Sequence, residues 1–184
     1  CALPICGGES TVQGRRVLLI VGGGIAAYKS LELVRLIRKA GGAVTPVLTR
    51  AGAEFVTPLS LAALAEEKTH EALFDLTEEA EMGHIRLSRV ADLVVVAPAT
   101  ADLMAKMAHG RADDLASTLL MATDTPVLVA PAMNVRMWHH PATQRNLATL
   151  RGDGVAVVGP DTGPMACGEH GAGRMAEPEA ILAA

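Results

Sequence analysis

The chain has 184 residues, half of them apolar, and a formal net charge of −4. This length suits one domain with a single sizeable core. The charges are scattered, so the sequence lacks the basic surface that is typical of nucleic-acid binding, and no apolar run approaches the ~18 residues that a membrane span needs. We therefore expect neither nucleic acid nor a membrane as a partner.

The three cysteines, Cys1, Cys6 and Cys167, are odd in number and lack the spacing of a metal site. Cys167 and His170 could supply half of such a site, but no second ligand pair has the usual spacing. We therefore expect no metal, and a reducing, cytoplasmic environment.

The predicted elements alternate between strands and helices along the chain. Residues 1–14 are rich in Gly, Ser and Pro and are expected to form a flexible tail, whereas residues 15–184 are expected to form one domain. Continuous apolar runs predict buried strands at residues 16–21, 43–48, 93–97, 126–130 and 155–158. Periodic spacing and capping residues predict helices at residues 25–40, 58–64, 102–107, 114–121 and 141–150. This alternation predicts an α/β protein with a three-layer, Rossmann-like or flavodoxin-like fold and a mostly parallel sheet.

Each unusual segment of the sequence directly follows a predicted strand. Since the carboxyl ends of parallel strands share one edge of the sheet, we expect these segments to converge there. The longest of them, residues 159–175, has neither a helical nor a strand period and is predicted to be a functional glycine-rich loop around Cys167. The segments are residues 22–24, 49–55, 98–102, 131–138 and 159–175.

The glycines after the first strand suit a phosphate at the start of a helix. Residues 22–27 fit a loose G-x-G-x-x-A pattern. A dinucleotide site would need an acidic residue after the second strand, and Thr49 stands there instead. A hydroxyl suits a monophosphate or a ribityl chain, although Thr49 could equally cap a helix and Arg50 leaves a phosphorylated dinucleotide open.

Three side chains are candidates for chemistry: His84, Asn134 and the Cys167 described above. His84 is suited to take a proton near neutral pH, although a lone histidine is more often structural. Asn134 could direct its amide at a carboxylate or cap the next short helix, and its neighbours Met133, Met137 and Trp138 could belong to the core.

Together these segments resemble the flavin-dependent cysteine decarboxylase family, from about residue 15 to the end of the chain. One motif departs from the usual family pattern: residues 98–103 read PATADL, where the family often has PASANT. The PATADL variant is familiar in the bacterial bifunctional branch. The matching motifs are GGIAAYK at residues 23–29, GHI at 83–85, PATADL at 98–103, PAMN at 131–134 with Met137 and Trp138, and ACG at 166–168 with Gly171 and GRM at 173–175.

The resemblance implies FMN as the cofactor and a set of site residues. FMN would contact Gly23, Gly24, Ile25, Ala26, Thr49, Phe55, Thr100, Ala101, Asp102 and Met133. Substrate would contact Arg89, Asn134, Met137, Ala166 and Arg174. The resemblance also implies a homotrimer with FMN near a subunit interface, or a dodecamer of trimers in the bifunctional branch, where a fused phosphopantothenate–cysteine ligase domain follows.

The implied reaction is the decarboxylation of 4′-phosphopantothenoylcysteine to 4′-phosphopantetheine in coenzyme A biosynthesis, through a thioaldehyde and an enethiolate. In this hypothesis His84 is the base, Asn134 orients the carboxylate and Cys167 donates the final proton. The alternatives are a lantibiotic-type peptidyl-cysteine decarboxylase, which stops at the enethiol, and a non-catalytic regulatory flavoprotein. A flavin prenyltransferase fits the PAMN and cysteine motifs poorly, and an NAD-dependent dehydrogenase would explain only the sheet.

Overall fold

The computed structural model describes residues 12–72, 83–166 and 168–184, without the side chains of residues 83–85. Cys1, Cys6 and Cys167 lie outside this part of the chain. Within the described ranges, no helix has the length and apolar character to cross a bilayer, and no group of three or more metal-binding side chains is present.

A five-stranded parallel sheet forms the centre of the molecule, in the order β2-β1-β3-β4-β5. The predicted α/β, flavodoxin-like architecture is confirmed, because this order is that of the flavodoxin class. The sheet strands are β1 (Arg16–Val21), β2 (Ala43–Leu48), β3 (Leu93–Ala99), β4 (Val127–Pro131) and β5 (Ala156–Val157).

Helices cover both faces of the sheet, which explains why its strands read as continuous apolar runs. Along β1, Val17, Leu19 and Val21 join the core beneath α1, α2 and α8, whereas Leu18 and Ile20 join the core beneath α4, α5 and α7. The helices are α1 (Tyr28–Lys39), α2 (Pro58–Ala65), α3 (Gly83–Val90), α4 (Ala101–Ala108), α5 (Leu115–Ala122), α6 (Val135–His139), α7 (Pro141–Gly152) and α8 (Pro178–Ala183).

Local signals placed several helix boundaries correctly. The Thr57 side chain accepts a hydrogen bond from the amide of Ser60 at the start of α2, as an N-cap should. His140 Nδ1 accepts from the amide of Ala142 at the start of α7, at 3.1 Å. Gly41 follows the end of α1 with a positive φ of 84°, a conformation that glycine adopts without a steric cost.

The prediction of a loop at residues 159–175 is wrong in one respect, because these residues contain an antiparallel hairpin. Its strands are β6 (Asp161–Pro164) and β7 (His170–Arg174). Both are largely polar or glycine-rich, so they lack the alternation that marks a strand, and backbone pairing decides their structure. α3 and α8 were also not predicted, and β5 is shorter than its apolar run.

The last three residues of the predicted tail, residues 12–14, pack against the domain. Val12 is buried, and residues 12–14 form a turn in which the amide of Gly14 donates to the carbonyl of Gly41 at 3.0 Å. Burial of one apolar side chain and this backbone bond fasten the turn to the end of α1.

Ser30 joins α1 to the end of β3 near the carboxyl edge of the sheet. Its hydroxyl is fully buried and donates to the carbonyl of Ala97 at 2.6 Å. The β3–β4 register shifts between Val96 and Ala99, so the sheet ladder is irregular at this carbonyl. The serine therefore satisfies a buried acceptor.

We predict that Ser30→Ala lowers the free energy of unfolding by about 1–3 kcal/mol, because the Ala97 carbonyl loses its buried donor. Urea unfolding followed by circular dichroism measures the change. The control is Thr149→Ala, which removes an exposed hydroxyl bonded to the carbonyl of Arg145 in α7. Equal stabilities of the two variants would contradict the prediction.

Candidate functional site

A cavity of about 640 Å³ opens at the carboxyl ends of β1, β3 and β4. Parallel α/β sheets bind ligands at this edge, where the strand order reverses. The sequence-predicted residues that the structure brings together in its lining are Gly23, Gly24, Ile25, Ala26, Thr100, Ala101, Met133, Asn134, Met137, Ala166 and Arg174.

The glycines after β1 allow close backbone contacts beneath the cavity. A Cβ on Gly22 would lie 2.4 Å from the carbonyl oxygen of Pro98, and one on Gly23 would lie 2.3 Å from the Cβ of Ala51. A Cβ on Gly24 would meet no protein atom within 4 Å. The first two glycines are therefore required by packing, and Gly24 faces open space.

Two helix beginnings contribute to the cavity wall. After Gly24, a 3-10 turn at Ile25–Ala27 leads into α1. Across the sheet edge, the Thr100 hydroxyl accepts from the amide of Leu103 at 3.2 Å and caps α4. Helix beginnings carry unpaired N–H groups and a partial positive charge, so this wall suits an anionic group.

Lys29 connects the glycine turn to the chain that follows the hairpin. Its side chain is buried, and its Nζ donates to the carbonyl of Met175 at 3.1 Å and to Glu177 at 2.7 Å. The hydrogen bond from Lys29 holds the pKa of the Glu177 carboxyl below its ordinary value of 4.5. The pair therefore fastens the base of the hairpin to α1.

The hairpin forms the opposite wall of the cavity. The amide of Met133 donates to the carbonyl of Gly173 at 3.0 Å. A Cβ on Gly173 would lie 2.3 Å from the Met133 carbonyl oxygen, so this contact requires glycine. At the hairpin tip, the amide of Met165 donates to the carbonyl of Glu169 at 2.8 Å.

Asn134 caps a helix and also lines the cavity, so the cap interpretation is confirmed and its role toward a substrate carboxylate stays a prediction. Its Oδ1 accepts from the amide of Arg136 at 2.8 Å at the start of α6. Its Nδ2 donates to the carboxylate of Glu169 on the hairpin. The cap fixes the amide with its NH₂ group toward the hairpin side of the cavity.

Four predicted site residues do not line the cavity. The Thr49 hydroxyl donates to the carbonyl of Val21 and accepts from the amide of Gly52, both at 3.0 Å, so it caps the next turn. The Asp102 carboxylate lies 3.6 Å from Lys106 on the same helix. Phe55 and Arg89 are exposed elsewhere on the surface.

The structure leaves two of the three chemical candidates without a described side chain. His84 lies in the first turn of α3, and its side chain is outside the described part. Cys167 is also outside it, between Ala166, which lines the cavity, and Gly168.

Several lining residues were not predicted as site residues. Lys29 had a usable signal, because it shares one helical face with the buried Leu33 and Ile37 and a charge there needs a partner. Gly173 and Met175 belong to the GRM motif, whereas Pro164 and Met165 had no signal, since their place in the cavity wall depends on how the hairpin packs against distant segments. The set comprises Tyr28, Lys29, Ala132, Pro164, Met165, Gly173 and Met175.

A family model described as Flavoprotein matches residues 8–184. The coenzyme A biosynthesis bifunctional protein CoaBC of Haemophilus influenzae is 48% identical over 173 residues, which are 94% of this chain and 43% of that protein. This chain therefore spans less than half the length of such relatives. The match confirms the family resemblance inferred from the motifs.

Two solved structures superpose on this chain over most of its length. A cysteine-to-serine mutant of PPC decarboxylase complexed with pantothenoylaminoethenethiol superposes with a TM-score of 0.79 at 32% identity, covering 91% of this chain and 94% of that one. The FMN binding protein AtHal3 gives a TM-score of 0.81 at 35% identity, covering 91% and 92%.

We predict that the stabilising effect of the Lys29–Glu177 pair is lost at acid pH. Because the pKa of Glu177 is lower in the folded state, the pair stabilises the protein above about pH 4.5 and ceases to do so as the pH falls through the folded-state pKa. Glu177→Gln should cost at most about 1 kcal/mol at pH 7, since the carboxylate is half exposed.

Urea unfolding at a series of pH values measures this effect. The difference between wild type and Glu177→Gln should shrink toward acid pH. Glu179→Gln, on the exposed surface of α8, is the charge-matched control. A difference that grows on acidification would contradict the prediction.

Proposed function

Because the chain belongs to the Flavoprotein family, we propose that it binds FMN and decarboxylates 4′-phosphopantothenoylcysteine to 4′-phosphopantetheine, as a carboxy-lyase of coenzyme A biosynthesis. The observation that carries the proposal is one cavity that combines an anion-binding wall with the Asn134 amide and a hairpin bearing the ACG and GRM motifs. The similarity to a PPC decarboxylase over most of both chains supports it.

The lining of the cavity fits FMN. Its volume of about 640 Å³ lies in the range of cofactor pockets. The N–H groups at the starts of the 3-10 turn and α4 would hold the phosphate, next to Gly24 and Ala101. The apolar side chains of Ile25, Met133 and Met175 would contact the flat ring. When bound, FMN supplies a reversible acceptor of two electrons.

The residues of the chain would control the substrate and its protons. Asn134 would hold the substrate carboxylate through neutral N–H donors, which bind this group and still allow it to leave as CO₂. His84 would accept a proton from the substrate, and Cys167 would return one to the product. Arg174, which lines the cavity and reaches Glu177 at 3.4 Å, would hold the base of the hairpin.

The hairpin would exclude water from the reacting centre. Its residues Pro164, Met165 and Ala166 form one wall of the cavity and present apolar atoms to the ligand. Excluding water protects a reactive sulfur-stabilised carbanion from stray protons. Arg89, on the exposed side of α3, would contact the substrate phosphate of a neighbouring subunit.

We further propose that the active unit is a homotrimer, or a dodecamer of trimers, with a fused ligase domain in the longer protein. Exposed apolar side chains at the cavity mouth support a subunit interface there: Ile25 is 63%, Tyr28 59% and Met137 49% exposed. A free catalytic thiol needs a reducing compartment, so we place the reaction in the cytoplasm.

We predict that Gly24→Val preserves the fold but weakens FMN binding by about tenfold or more, because the new side chain points into the open cavity. Gly24 has an extended backbone, with φ 172° and ψ 161°, which valine tolerates. Fluorescence titration with FMN measures the dissociation constant, and thermal unfolding monitors the fold.

Gly152→Val is the matched control, since a Cβ on Gly152 also meets no protein atom within 4 Å but lies at the end of α7. It should bind FMN like the wild type. Equal affinities of both variants would remove Gly24 from the flavin site, and a wild-type protein that takes up no FMN would refute the proposed function.

We predict that Cys167→Ser separates the two halves of the reaction. In anaerobic incubation with 4′-phosphopantothenoylcysteine, the wild type should release CO₂ and form 4′-phosphopantetheine. The variant should release CO₂ and form a product lighter by two hydrogens, up to about one equivalent per bound FMN, since the flavin keeps the two electrons when the proton for the final reduction is missing. Mass spectrometry distinguishes the products.

A variant that forms 4′-phosphopantetheine at the wild-type rate would exclude Cys167 as the proton donor. A wild type that stops at the lighter product would instead favour a peptidyl-cysteine type of reaction. An FMN-loaded wild type that leaves the substrate unchanged would favour a regulatory role.

A further inference from the structure

Glu169 places a carboxylate against Asn134, at the edge of the proposed substrate site. It lies on the hairpin just before β7, and both of its carboxylate oxygens accept hydrogen bonds. Oε2 accepts from Nδ2 of Asn134, and Oε1 accepts from Nε of Arg136 at 3.3 Å. Two donors directed at the two oxygens of one carboxylate form a typical carboxylate-binding arrangement.

The start of α6 holds the Asn134 donor in place. The Oδ1 atom of Asn134 is used by the amide of Arg136, so rotating the Asn134 amide away would break the helix cap. The Asn134 donor is therefore preformed, whereas the Arg136 side chain is largely exposed. Asn134 also lines the cavity, next to Met133 and Met137, so this donor is next to ligand space.

A substrate carboxylate that reaches Asn134 would meet the carboxylate of Glu169 at the same nitrogen. Two like charges this close repel each other. One of them must leave, and the Glu169 side chain can rotate outward while its carbonyl keeps the bond to the Met165 amide.

We propose that Glu169 is an internal stand-in for the substrate carboxylate: it holds Asn134 and Arg136 until the incoming carboxylate displaces it. This rests on the proposed function, which supplies a substrate with a carboxylate and a product without one. After CO₂ leaves, the product has no group to keep Glu169 away. Glu169 then returns to the donor pair, and the bound product does not compete with it. It is a positioning residue and takes no part in bond breaking.

The test compares Glu169→Gln with wild-type holoenzyme in steady-state kinetics. Glutamine keeps the shape but removes the competing charge, so KM for 4′-phosphopantothenoylcysteine should fall about five- to tenfold. The inhibition constant of 4′-phosphopantetheine, which has no carboxylate, should rise or stay within about twofold, and kcat should not increase. Glu179→Gln on α8 is the charge-matched control and should leave both constants unchanged.

A second variant, Glu169→Ala, keeps the test valid if glutamine still binds the donor pair, and it should also lower KM. An unchanged or raised KM in both variants, with active wild-type enzyme, overturns the role of Glu169 and leaves the proposed function intact. An equal fall of KM and of the product inhibition constant also overturns it, because the effect would then not depend on the carboxylate. A wild type that does not consume the substrate overturns both proposals.

Discussion

The reversal of strand order beside β1 is the constraint on which the site depends. From β1 the chain leaves toward β2 through α1 on one face of the sheet, whereas β3 leads into α4 on the other face. The two connections diverge, and a crevice opens between their first turns. Its depth depends on the backbone of Gly22 and Gly23, which lies too close to Pro98 and Ala51 for any side chain.

The second wall comes from a part of the chain that is not in the main sheet. The hairpin is bound to the end of β4 by the bond between Met133 and Gly173, and to α1 through Lys29. These two attachments are a backbone contact and a buried ammonium group, and neither needs an apolar core under the hairpin. A wall held by hydrogen bonds can present glycines to the cavity.

The described lining of the cavity combines neutral N–H donors with two cations, Lys29 and Arg174. The wall at Gly24 and Ala101 supplies N–H groups, and Asn134 supplies a neutral amide. The buried ammonium of Lys29 is neutralised by Glu177. In the proposed reaction, Asn134 would hold the substrate carboxylate with a neutral amide, beside the guanidinium of Arg136.

The sequence by itself determined the class of the protein, its sheet strands and most of its helix boundaries. These depend on apolar runs and caps, which are local properties: Arg16–Val21 and Thr57 needed no distant partner to be interpreted. It also identified the rim glycines and Asn134 through motifs. Only the tertiary structure decided that residues 161–174 form a hairpin, that Thr49 and Asp102 bond within their own neighbourhoods, and that Glu169 reaches Asn134. The bonds from Thr49 to Val21 and from Asn134 to Glu169 join segments far apart in the chain, and no local pattern of residues encodes such contacts.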